Sequence, residues 1–186
     1  MKRAALAVTL LVAAGNAPAH AGTYLGLGIG TAPALSEDVG IGMESDSRSL
    51  KGMLGMRWGQ WSIEGSIGGN TLTRANARGV YSPYGDLYNA SAAGKFNLPL
   101  GSNFEAFGRL GVNHLRIKAE NPDNDVSGNG LMFGAGFEYR LNFGVGAGSI
   151  FVDYMINRAA MTGDNVERLE YDLTTRTWTL GLTIGI

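Results

Sequence analysis

From Arg176 onward, apolar positions alternate without a break with small or polar ones. Trp178, Leu180, Leu182, Ile184 and Ile186 share one parity; Thr177, Thr179, Gly181, Thr183 and Gly185 share the other. Successive strand side chains point to opposite faces, so this pattern predicts a strand with one apolar face. The alternation recurs upstream, and the predicted strands span 23–32, 49–58, 61–73, 86–98, 104–118, 129–142, 147–157 and 173–186. Among the apolar rows are Leu25, Leu27 and Ile29; Leu50, Leu54, Met56 and Trp58; Trp61, Ile63 and Ile67; and Tyr88, Ala90, Ala92 and Phe96. They continue with Phe104, Ala106, Leu110 and Val112, then Leu131, Phe133, Ala135, Phe137, Tyr139 and Leu141, and then Ile150, Val152, Tyr154 and Ile156.

Charge decides which face meets which solvent. None of these rows contains Asp, Glu, Lys or Arg. The opposite rows carry nine: Lys51, Arg57, Glu64, Lys95, Glu105, Arg109, Glu138, Arg140 and Asp153. A Lys or Arg facing lipid at the bilayer midplane costs about 2–4 kcal/mol, so a lipid-facing row excludes them. A soluble ligand-binding barrel would show the reverse, with an apolar interior and a charged exterior. Leu131, Phe133, Phe137, Trp178, Leu180, Leu182 and Ile184 are therefore read as lipid-facing, and the nine charges as lumenal.

The connections agree. Short links at 59–60, 98–103 and 143–146 alternate with longer polar ones at 33–48, 74–85, 119–128 and 158–172. Tight periplasmic turns and longer external loops alternate in this way in outer-membrane barrels. Trp58, Trp61, Phe96, Phe104 and Phe143 gather at the short turns, where an interfacial aromatic girdle belongs. The predicted fold class is all-β: an eight-stranded antiparallel transmembrane β-barrel, an up-and-down meander with an apolar exterior and a polar, glycine-rich lumen.

The N-terminus supplies the route. Lys2 and Arg3, an apolar run from Ala4 to Ala14 and the small-x-small site Ala19-His20-Ala21 form a secretory signal peptide. The apolar run falls short of the ~20 residues of a spanning helix. Residues 1–21 are read as the signal and 22–186 as one barrel domain destined for the cell outer membrane of a Gram-negative bacterium. Removing Lys2 and Arg3 from the 15 basic residues leaves 13 against 16 acidic ones, a net charge of −3 with no basic run that would argue for nucleic acid. With no cysteine there is neither a disulfide framework nor thiol chemistry. Glycine, 29 of 186 residues, is about twice its usual ~7 % share.

Several segments resemble the outer-membrane protein A and OmpX type of small barrel. Gly55-Met-Arg-Trp-Gly-Gln-Trp-Ser-Ile-Glu-Gly-Ser-Ile-Gly68 is similar to that family's second hairpin, and Gly94-Lys-Phe-Asn-Leu-Pro-Leu-Gly101 with Arg109-Leu-Gly111 to its fourth and fifth strands. Gly134-Ala-Gly-Phe-Glu-Tyr139 resembles the sixth strand and Val152-Asp-Tyr154 the seventh. The resemblance implies a lumenal ionic network in place of an open pore, with Glu64, Lys95, Arg109 and Glu138 matching its members and Asp153 an acidic neighbour. This chain departs from the family at Phe151, where the family has an Arg, and at Ile186, where the family ends on Phe or Trp. The expected lumenal set is Glu64, Lys95, Arg109, Glu138, Asp153, Arg57, Arg140 and Lys51, with Glu105 among its acids.

Candidate chemistry outside the lumen is sparse. The mature segment has one histidine, His114, on the outward row, and no serine spaced to serve it as nucleophile; no catalytic residue is assigned. Asp123-Asn-Asp125-Val-Ser127-Gly128 imitates the opening of a calcium loop, but the twelfth position is Gly134 instead of Glu, so the segment reads as a solvated turn. Neither metal nor cofactor is expected. The external loops carry Glu37, Asp38, Glu44, Asp46 and Arg48, then Arg74, Arg78, Tyr81, Tyr84 and Asp86, and finally Asp164, Glu167, Arg168 and Glu170. The reading is a non-catalytic barrel with a structural or surface-interaction role of the adhesion or resistance type. A narrow channel for ions or small solutes and a lipid A-modifying enzyme stand as alternatives. The partners implied are outer-membrane lipids and lipopolysaccharide, the barrel-assembly machinery and periplasmic chaperones during biogenesis, and a surface ligand that the loops do not specify.

Overall fold

A computed structural model describes residues 22–37, 43–45, 47–75, 81–120, 125–142, 147–163 and 170–186. The signal segment 1–21 and Phe143 lie outside the described residues. Ten strands follow in chain order: β1 (Gly22–Gly30), β2 (Ala34–Glu37), β3 (Met43–Ser45), β4 (Ser49–Trp58), β5 (Trp61–Ala75), β6 (Tyr81–Pro99), β7 (Phe104–Ala119), β8 (Val126–Asn142), β9 (Ala147–Gly163) and β10 (Glu170–Gly185). Eight long strands pair with their sequence neighbours, all antiparallel, and β1 pairs with β4 on one edge and β10 on the other. The ring therefore closes without a free edge. Closure is what a spanning sheet needs, because lipid offers no partner for an open row of N–H and C=O groups.

Two departures from the sequence reading concern the loop end. Strands expected to begin at 86, 129 and 173 begin at 81, 126 and 170, and the one expected to end at 157 runs to 163. Part of the first loop is also strand: β2 pairs with β10 and β3 with β5. The cause is a reversal of polarity along the barrel axis. At the loop end the inward side chains are Leu72, Leu87, Leu115, Ile117, Met161 and Leu173, all buried, with Tyr171 beside them. The outward side chains here include Arg116, Lys118, Arg158 and Arg176, all exposed. Polar outward residues made these stretches look like loops, while the apolar inward ones hold them in the wall. The expectation of a lumen that is polar and glycine-rich throughout is corrected accordingly: it describes the turn end and the middle, and the loop end has an ordinary apolar core.

Two glycines take backbone conformations that other residues avoid. Gly59, at φ 62, makes the two-residue turn that joins Trp58 to its ladder partner Trp61. Gly85, at φ 153, sits where β6 enters the loop-end extension. There Leu72 pairs with Gly85 but Thr73 with Pro83, so Tyr84 is an extra, bulged residue.

Lumenal packing rests on opposed glycines. Five large inward side chains each face a glycine directly across the ladder: Tyr24 opposite Gly55, Met53 opposite Gly26, Phe107 opposite Gly136, Phe151 opposite Gly181 and Met155 opposite Gly134. The fit at Gly55 is the cleanest, since a Cβ there would run into Tyr24 and its three closest neighbours are all Tyr24 ring or hydroxyl atoms. Gly55→Ala is expected to destabilise the barrel by about 1–3 kcal/mol, the usual cost of overpacking. Adding Tyr24→Ala should return part of that loss, so a double-mutant cycle read by urea unfolding in lipid vesicles should show coupling between the two sites. Additive losses would mean that Gly55 is not there for the ring.

Candidate functional site

Six consecutive strands each contribute one charge to the middle of the lumen. Lys51 from β4, Glu64 from β5, Lys95 from β6, Arg109 from β7, Glu138 from β8 and Asp153 from β9 form a single chain of alternating sign. Lys51 Nζ donates to Asp153 Oδ2 at 3.0 Å. Arg109 forks between Asp153 and Glu64, and Lys95 Nζ lies 3.4 Å from Glu64 Oε1 and 2.7 Å from Glu138 Oε2. Three positive and three negative groups cancel, and five of the six are below a tenth exposed. The Tyr24 hydroxyl donates to Glu64 and brings in β1. Pairing charge for charge and filling lone pairs with donors is what makes burial of so many ions tolerable.

A second cluster sits nearer the short turns. Arg57 grips Glu105 with two parallel bonds of 2.8 and 3.0 Å, and Arg140 reaches the same carboxylate at 2.6 Å. Arg57 Nε also donates to Gly59 O at 2.9 Å, tying the triad to the first turn. Arg140 has a half-exposed side chain and stands at the mouth of the lumen. The expected lumenal set thus divides into a central chain and a mouth triad that share no ion pair.

Sequence reasoning placed Phe151 at a network position but missed the other aromatic and sulfur side chains between these charges. Phe107 lies between Lys95 Nζ, 4.3 Å from the ring centre, and Arg109 Cζ, 4.4 Å away. A ring face stabilises a cation at this range. Phe151, in the position where the resembled family has an Arg, is buried under Lys51 and Arg109 at about 6 Å. Met132, Met155 and Ala93 form a further apolar cluster. A signal was available: these residues fall on the parity of the charges, not on that of the outward rows.

Leu131, Phe133, Phe137, Trp178, Leu180, Leu182 and Ile184 point outward and are 47–61 % exposed. Near the short turns Trp61 packs on Phe96 at 4.8 Å and Phe104 stacks on Phe137 at 5.6 Å, with Trp58 half-buried next to the first turn. At the opposite end the exterior changes character. Lys118 and Arg176 have no ionic partner among the described residues, whereas Arg116 meets Asp125 at 3.3 Å and Arg158 meets Asp172 at 2.5 Å.

His114 also faces outward, its Nδ1 2.9 Å from Asn129 Oδ1; no described carboxylate orients it. Among the described residues no three His, Asp or Glu side chains converge as a metal site. Asp123 lies outside the described residues, and Asp125 accepts from the Ala119 N–H at 3.0 Å as well as from Arg116, which is turn-closing geometry. Of the loop residues named from sequence, Arg48 is exposed, Tyr84 packs against the apolar loop-end cluster, and Asp86 accepts from the Tyr88 hydroxyl at 3.4 Å. The remaining loop side chains fall outside what the structure describes.

Comparisons with known proteins match this geometry. The family described as "Outer membrane protein beta-barrel domain" matches residues 4–184. Neisserial surface protein A superposes with a TM-score of 0.66 at 14 % identity, over 88 % of this chain and 97 % of that one. Ail, the attachment invasion locus protein of Yersinia pestis, solved in complex with the heparin analogue sucrose octasulfate, gives a TM-score of 0.53 at 16 % identity, over 89 % of this chain and 99 % of its own. Nothing among curated protein sequences matches.

Proposed function

The chain belongs to the outer membrane β-barrel domain family, and from that premise we propose that it is a non-catalytic mount, carried out of the cytoplasm by residues 1–21, whose barrel domain 22–186 holds its loop end at the cell surface. The observation that carries this reading is the exterior. It is apolar through the middle, aromatic at the short turns, and charged at the loop end, where Arg116 and Arg158 are paired with Asp125 and Asp172 while Lys118 and Arg176 have no ionic partner among the described residues. Unpaired cations directly above an apolar belt suit the phosphate-bearing glycolipid of the outer leaflet, because cations next to an anionic lipid surface gain about 1 kcal/mol each. Lipid, lipopolysaccharide and a surface ligand of the loops are the partners on this reading, and the complex of Ail with a sulfated heparin analogue supports an anionic one. The ion pairs and apolar cluster inside the lumen weigh against a channel, and the lack of an orienting carboxylate at His114 among the described residues weighs against an enzyme.

Lys118→Gln with Arg176→Gln removes the two rim cations that have no ionic partner among the described residues. Affinity for purified lipopolysaccharide should fall roughly thirtyfold, at about 1 kcal/mol per charge. The difference should shrink as salt is raised, with unfolding unchanged. Equal binding by the variant and the parent protein would remove the rim from the account. Separately, the outer-membrane fraction should show a band whose gel mobility shifts on boiling; an unshifted soluble band would contradict the membrane mount.

A further inference from the structure

One sector of the outer rim differs from the rest. Across β9 and β10 the ladder pairs Tyr154 with Trp178, Ile156 with Arg176 and Arg158 with Thr174, all six on the outward parity. The two arginines therefore stand diagonally across one strand pair, roughly 7–8 Å apart at Cα and within mutual reach of long side chains. Asp172 pairs with Arg158 at 2.5 Å. Arg176 receives no such partner: its ladder neighbours are Ile156 on β9 and Ala34 on β2, and its row neighbours are Thr174 and Trp178. The flank beside it is open. Between the pairs Gly30–Thr179 and Ala34–Arg176 the first strand has three residues where β10 has two. That bulge sets the small Ala34 next to the guanidinium stem. Directly below, Trp178 is 54 % exposed and leans on Tyr154, with 4.9 Å between ring centres. Its backbone is pinned by Thr31, whose N–H donates to Trp178 O at 2.8 Å and whose Oγ1 accepts from Trp178 N–H at 3.2 Å.

We propose that this face is a binding site for the phosphomonoester head of an outer-leaflet lipid, with the phosphate on Arg176 beside Arg158 and the start of an acyl chain along Trp178 and Tyr154. Two arginines and one aspartate leave the face one positive charge in excess, which suits an anionic head and no neutral one. The planar fork of Arg176 matches phosphate oxygens in a way that a point charge does not. Tryptophan and tyrosine settle at headgroup depth because one end of each ring is apolar and the other polar. The aromatic pair lies on the membrane side of the arginines, so the occupant carries its apolar part below its charge, as a lipid does and a free anion does not. The site rests on the surface-mount reading above, and it names one place on the rim and the chemical group that the rim meets there.

Trp58→Phe with Trp61→Phe leaves Trp178 as the sole tryptophan of the three and makes it the reporter. The protein is placed in phosphatidylcholine vesicles that contain a minor fraction of phosphatidic acid with brominated acyl chains. Quenching of Trp178 should exceed that given by the same fraction of brominated phosphatidylcholine, by an amount that corresponds to at least a fivefold local enrichment of the phosphomonoester. Arg176→Gln should lower that enrichment about fivefold, at about 1 kcal/mol for one charge. Arg176→Lys should lower it less, because the charge remains without the fork, and added salt should shrink the difference. Heat-shifted gel mobility in each variant shows that the barrel is folded. Equal quenching by the two brominated lipids, or an enrichment that survives Arg176→Gln, overturns the site. Displacement of the lipid by millimolar inorganic phosphate overturns the choice of a lipid as occupant. Binding of purified lipopolysaccharide without enrichment at Trp178 sinks this site and spares the surface mount, whereas a protein that never enters the vesicles sinks both.

Discussion

Arg109→Ala is expected to lower the unfolding free energy by about 3–5 kcal/mol, the cost of stranding buried charges. Arg109 is the link on which the central chain depends, because it alone contacts both Glu64 and Asp153. Without it two buried carboxylates lose their shared cation, and Lys51 and Lys95 are too far apart in the chain of pairs to replace it. Arg109→Lys keeps the charge but not the planar fork, so it should recover only part of the loss. The neutral combination Arg109→Met, Glu64→Gln, Asp153→Asn and Lys51→Met, which leaves the Lys95–Glu138 pair intact, should recover much more, since a buried ionic group replaced by uncharged side chains without stranding a partner is often close to neutral. Urea unfolding of the barrel in phospholipid vesicles reads all three. An Arg109→Ala protein with an unaltered midpoint would show that the six charges do not hold the lumen together.

Leu182→Arg is the complementary experiment on the outside of the wall. Leu182 is outward, 55 % exposed, and pairs with Leu27 on β1 and Ile150 on β9. It stands mid-strand between Trp178 and the C-terminus, flanked on its row by Leu180 and Ile184. An arginine at the bilayer midplane costs about 2–4 kcal/mol, whereas at the interface the cost falls to ~0–1 kcal/mol. The same change at Arg176's level of the wall, Thr174→Arg, should therefore be nearly silent. Equal effects at the two depths would mean that lipid does not bound this face where the apolar row says it does.

Much of this molecule was legible in the chain. Strict alternation, as in Leu131 to Leu141 against Gly134, Gly136 and Glu138, needs no tertiary information, because the strand period of two fixes which face a side chain takes. The same period placed Glu64, Lys95, Arg109 and Asp153 on the inner face. Where alternation changed meaning, reading failed. Leu115 and Ile117 are as apolar as Leu110 and Val112, but they lie on the opposite parity, inside the loop-end core. The strand is read through 118, but its outward apolar row is followed only to Val112, so the switch that puts Leu115 and Ile117 inside and Arg116 and Lys118 outside goes unread.

Periodicity by itself determined the faces, the order of the strands and the sign of the polarity, since each depends only on a residue and its near neighbours in sequence. Register decided the rest. That Tyr24 meets Gly55, that Phe151 meets Gly181, and that Arg109 bridges acids from β5 and β9 follow from how far each strand slides past the next before the ring closes. A slide of that kind is a property of the whole closed sheet, and no local stretch of the chain records it.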